Sequence, residues 1–108
     1  MEAERKPLDI EKLKKISGGS NYESWEIVEV IDRNPNLKTM WLNALDTAYD
    51  INPHDELAYF HAAEDVLNRI GVEAMFIDSD NPADTNMYRN SNGNLTQQQV
   101  VDYVRNYK

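Results

Sequence analysis

The chain has 108 residues, enough for one small domain, and a formal net charge of −8. It contains no cysteine, which excludes disulfides, thiolate metal sites, lanthionine-type rings and a cysteine nucleophile of its own. No run approaches the ~20 apolar residues of a membrane helix, and residues 1–19 lack the continuous apolar centre of a secretory signal.

Residues 1–7 are polar, end at Pro7, and read as lacking fixed structure. Residues 8–17 have helical spacing, with Leu8, Leu13 and Ile16 in one broad stripe and Lys12, Lys14 and Lys15 largely off it. Ten residues are too few for a stable isolated helix, so this segment needs a surface to dock on. Gly18 and Gly19 break it. The charge divides at this point: residues 1–19 are net +1, and residues 20–108, with 15 acids and six bases, are net −9.

Ser20 and Glu23 have the spacing of a capping box, predicting a helix from 20 to about 32. Trp25, Ile27, Val28, Val30 and Ile31 form its core side, although the β-branched run also suits a strand. Asn34-Pro35 predicts a new helix, with asparagine capping and proline in the first helical position. Leu37, Met40, Trp41, Ala44, Leu45, Ala48 and Tyr49 then follow at three-and-four spacing. Asn52-Pro53 repeats the device; Leu57, Phe60, Ala63, Val66, Leu67 and Ile70 line the next helix, which Gly71 ends.

Residues 74–77 are a short apolar run, extended or a loop plug, and 78–94 read as a long Asn- and Asp-rich loop with room for one short turn after Pro82. Thr96 and Gln99 make a second capping box, opening a last helix that buries Val100, Val101, Tyr103 and Val104. The expected fold is mainly α. It is a small helical bundle with an irregular Asn/Asp-rich segment before its last helix, preceded by a flexible or weakly helical leader.

Residues 8–19 carry the one sharp functional signal. Only glycine lets a backbone lie flat between the walls of a narrow peptidase cleft, and upstream apolar side chains at helical spacing position the bond. The segment resembles the double-glycine leader peptides of bacterial bacteriocin and peptide precursors, which are cleaved and exported by ABC transporters bearing a papain-like cysteine peptidase domain. In that family apolar anchors sit four, seven and twelve residues from the leader's end, counting the last glycine as one. Here these are Ile16, Leu13 and Leu8, and cleavage falls between Gly19 and Ser20. Lys12 departs from the glutamate often found before the second anchor. The resemblance implies a leader over 1–19 and an acidic cargo over 20–108. It implies synthesis in a bacterial cytoplasm and secretion of the cargo after leader removal. Two plainer readings compete for Ser17 to Ser20: a flexible linker or a native glycine turn after a first helix.

Other features point nowhere specific. Residues 88–99 have the outline of a calcium-binding EF-hand loop, with Asn90, Asn92, Gly93 and Leu95 in place. Tyr88 and Gln99 stand where the key carboxylates belong, so no calcium site is expected. Asp78, Asp80 and Asp84 read as a solvated acidic turn. His54 and His61 are seven residues apart, without the four-residue spacing of a zinc pair; His61 is placed to meet Glu64 or Asp65. No nucleophile motif or phosphate loop is present, so neither enzyme activity nor a cofactor or metal is expected. A net charge of −9 disfavours binding nucleic-acid phosphate or inserting into anionic membranes; its plain role is keeping chains dispersed. The runner-up function is a cytosolic acidic helical interaction protein, such as an immunity protein, an antitoxin or a phage-type inhibitor. A nucleic-acid mimic comes third, because the acids are scattered.

Overall fold

The computed structural model describes residues 9–51, 55–77, 81 and 83–108. Leu8, Asn52, Pro53, His54, Asp78, Asp80 and Pro82 therefore lie outside the described residues. Those described form five helices and a small sheet: α1 (Ile10–Ile16), α2 (Gly19–Arg33), α3 (Lys38–Ile51), α4 (Asp55–Arg69), β1 (Glu73–Met75), β2 (Met87–Asn90), β3 (Gly93–Leu95) and α5 (Gln97–Arg105). The protein is mainly helical, as its periodicity predicts.

Helix α2 settles the helix-or-strand ambiguity of the β-branched run. Trp25, Ile27, Val28 and Ile31 are fully covered and Val30 nearly so, because α3, α4 and α5 all pack on this helix. A helix contacted from several sides buries more than one stripe, which is why its apolar residues look continuous in sequence. Trp41, Ala44, Leu45, Ala48 and Tyr49 bury one side of α3; Phe60, Ala63, Val66 and Leu67 do the same for α4. Trp25 meets the edge of Phe60 at 4.8 Å between centroids, and Tyr59 stands among Trp25, Trp41 and Tyr49. Gly71 ends the α4 turn at φ +97, a conformation that favours glycine.

The expected helix start at Asn34-Pro35 is corrected: Asn34 is the C-cap of α2, and Pro35 lies in a turn rather than in the first helical position. The Asn34 Oδ1 accepts the Asn36 amide at 2.8 Å, so Pro35 to Leu37 form a turn and α3 begins only at Lys38. The buried Asn34 Nδ2 donates to the carbonyls of Val104 and Tyr107. One asparagine thus joins the end of α2 to the last turn of α5 and the residues just after it.

The expectation of one long irregular loop over 78–94 is corrected. β1, β2 and β3 form an antiparallel sheet in that order, with Ala74 opposite Tyr88 and Tyr88 opposite Leu95. The Asn-rich run is the β2–β3 hairpin. Asn90 Oδ1 accepts the Asn92 amide, and Gly93 takes φ +126 where the chain re-enters the strand. In the run with the EF-hand outline, the Asn90 side chain thus holds backbone. The Thr96–Gln99 capping box is present with both reciprocal bonds. Val100, Val101 and Val104 are buried, whereas Tyr103 is partly exposed and uses its hydroxyl to donate to the Ile70 carbonyl.

Candidate functional site

The segment singled out by sequence forms a helix, a break and the start of a second helix. Asp9 caps α1 through Oδ1, which accepts the Lys12 amide at 3.1 Å. Ser17 ends it with extended backbone, and its hydroxyl donates to the Leu13 carbonyl at 2.7 Å. Gly18 is extended at φ −129, ψ 173, and its carbonyl accepts the Tyr22 amide as α2 begins. Gly19 then takes φ +57, the left-handed region that L side chains enter at a cost.

Helix α1 lies along α2, yet contributes no buried residue. Ile10 and Leu13 are half-buried against the core, while Ile16 is 72% exposed. Of the three anchors, one is therefore partly covered, one is open, and Leu8 is outside the described residues. An ion pair ties the helix to α2: Lys14 Nζ reaches Glu29 Oε1 at 2.8 Å, and Arg33 approaches the other oxygen of Glu29 at 3.5 Å. The bond to Glu29 holds the Lys14 ammonium pKa above its ordinary value, against desolvation that lowers it.

A raised lysine pKa means that folding favours the protonated form. The stabilisation from this pair is complete below the ordinary lysine value of 10.5 and is lost as pH rises through the higher folded value. Glu29→Gln should therefore loosen α1 at neutral pH, with a global loss of only about 1 kcal/mol or less. Amide hydrogen exchange checks this: α1 amides should exchange faster while those of α3 and α4 keep their protection.

Beyond the break, the expected Ser20–Glu23 capping box is overturned. Gly18, not Ser20, is the N-cap of α2. Ser20 lies within the helix at 0% exposure, and its hydroxyl donates to the Ile77 carbonyl. Glu23 caps something else: its Oε1 accepts the Asn86 amide at 2.7 Å. Both residues were drawn from their own helix end by the segment before β2, which packs across it.

That packing is a polar network absent from any local motif. Ser24 Oγ donates to the Ser20 carbonyl at 2.9 Å, and Asn86 Nδ2 donates to Ser24 Oγ at 2.8 Å and to Tyr88 Oη at 3.2 Å. Asn86 Oδ1 accepts the Ile77 amide at 2.9 Å. The Tyr88 hydroxyl donates to Gln97, whose amide nitrogen donates to Glu26 and to the Glu23 carbonyl. Among the described residues no buried side-chain nitrogen or oxygen lacks a partner. Burial drives the Tyr88 phenol pKa well upward, so it stays a neutral donor. Asn86 is the residue sequence reasoning missed; its neighbours differ from it by 62 positions or more on the α2 side, and only its place in an otherwise loop-like run could have marked it.

His61 Nδ1 is 3.3 Å from Glu64 Oε1 and largely exposed, the local contact expected of it. Glu64 also accepts the Phe76 amide through its other oxygen. No group of three or more potential metal ligands gathers among the described residues, and no helix of the described residues is long and apolar enough to cross a membrane.

Compared with protein-family models, with curated proteins and with solved structures, the chain matches none. The described residues form a small acidic helical fold with a three-stranded sheet, in which α1 lies along α2 and only Ser17 and Gly18 separate the two helices.

Proposed function

We propose that the chain is a secretion precursor whose leader, residues 1–19, is removed after Gly19 by a peptidase-containing ABC transporter, releasing the acidic polypeptide 20–108. The observation that carries the reading is where the core begins. Its buried apolar cluster runs from Trp25 to Val104, α1 adds no buried residue, and the glycine pair stands between the two. A segment can be discarded without dismantling a domain only if the domain's core is complete without it.

In this reading α1 leaves α2 and docks on the transporter's papain-like domain through Leu8, Leu13 and Ile16, each contributing ~1.5–3 kcal/mol if fully buried. The glycines then thread the cleft. The transporter's cysteine attacks the Gly19 carbonyl, Ser20 departs as a new amino terminus, and water frees the leader from the enzyme. No cofactor is required of this chain.

Co-expression with the peptidase-containing transporter of the host tests this. The medium should contain a single product beginning at Ser20, and replacing the transporter's catalytic cysteine should abolish it. Recovery of only uncut, cell-retained chain in both strains overturns the proposal.

A second reading, an acidic helical interaction protein acting in the cytosol, is favoured by one specific observation. A Cβ on Gly19 would sit 2.2 Å from the Asn81 carbonyl oxygen, so the fold itself has a use for glycine there, without any peptidase.

A further inference from the structure

Resting on the precursor reading, we infer that the cargo's own fold gates leader removal: the Gly19–Ser20 bond is shielded in the native state and becomes a substrate only when the start of α2 opens.

Three observations meet at this bond. First, it lies in the first turn of α2, and Ser20, the residue on the departing side of the cut, is wholly buried. Second, the conformation is wrong for a cleft. A peptidase that selects paired glycines needs them extended and flat, whereas Gly19 is left-handed at φ +57 and the next residues are helical. Third, the bond is roofed from one side. The Asn81 backbone presses on the Gly19 α-carbon so closely that a Cβ would be 2.2 Å from its carbonyl oxygen. The Ile77 carbonyl accepts the Ser20 hydroxyl, and the Ser20 carbonyl is itself held by Ser24. Asn86 locks this roof, taking the Ile77 amide and donating to Ser24.

The handle and the bond thus differ in availability. Ile16 is open on the surface of the folded chain, while the bond three residues beyond it is closed. A transporter can engage the exposed side of the leader helix, but it cuts only a chain whose α2 start has unwound. The cut is thereby coupled to an unfolded, export-ready cargo, and a chain that folds before reaching the transporter keeps its leader. When opening and closing are fast relative to cleavage, the rate follows the population of the open form.

The purified peptidase domain and three full-length chains test the gate. These are the natural sequence, Asn86→Ala to release the roof, and Leu67→Ala to destabilise the core far from the leader. The gate predicts cleavage after Gly19 at least tenfold faster in one or both variants than in the natural chain. Equal rates of cleavage after Gly19 in all three overturn the gate and leave the precursor reading standing. No cleavage after Gly19 in any of them overturns both.

Discussion

Trp25→Ala should remove about 3–5 kcal/mol of stability, a large part of the ~5–15 kcal/mol that a domain of this kind has in total. Trp25 is 1% exposed and is the largest side chain of α2. It meets the edge of Phe60 and the tilted ring of Tyr59, so truncation empties the space where α2 and α4 meet. The surrounding side chains cannot close this gap cheaply, because the interior around it is close-packed: Ile27, Val28, Ile31, Val66 and Leu67 are fully buried already. Urea denaturation followed by far-ultraviolet circular dichroism reads the effect as a lower midpoint with an unchanged slope. A loss below about 1 kcal/mol would mean that the interior repacks freely around this position.

Helical elements were legible because their signals are local. The three-and-four spacing of Trp41, Ala44, Leu45 and Ala48 is a property of α3 alone, and the Thr96–Gln99 box needs only four residues. What sequence reasoning misplaced involves partners far apart. Ser20 and Glu23 satisfy a capping-box pattern, yet their bonds go to Ile77 and Asn86, because backbone of these two residues, just after β1 and just before β2, offers those groups partners inside the domain. Strands β2 and β3 escaped notice for a related reason, and the run around β1 suits either an extended stretch or a loop plug. The strands are three or four residues long, too short to display alternation, and asparagine and glycine at their turn resemble loop composition. Asn34 was misread locally as well: it ends α2 and holds a turn instead of capping α3, and its grip on Val104 and Tyr107 was not visible either. At the candidate site the glycines and apolar frame were visible in sequence, whereas the burial of Ser20 depends on residues some 57 positions away.

The two glycines should respond differently to alanine, and the difference separates the two functional readings. Gly18 is extended at φ −129, ψ 173, which any residue adopts, so its backbone gives alanine no objection. Gly19 is left-handed, where alanine costs roughly 1–2 kcal/mol, and the new methyl would also be driven into the Asn81 carbonyl. Gly19→Ala should therefore destabilise the domain by about 2 kcal/mol or more, with a backbone penalty that Gly18→Ala does not carry. Cleavage obeys another rule. A flat cleft excludes a methyl at either position, so both substitutions should abolish the cut after Gly19. For Gly19→Ala this should happen even though the destabilised fold opens more often, which sets chemistry at the cleft against access to it. Thermal unfolding of the two variants, run beside their cleavage by the peptidase domain, gives both answers. If Gly18→Ala is cut as readily as the natural chain while Gly19→Ala merely loses stability, the glycines serve the turn alone. The interaction-protein reading then takes precedence.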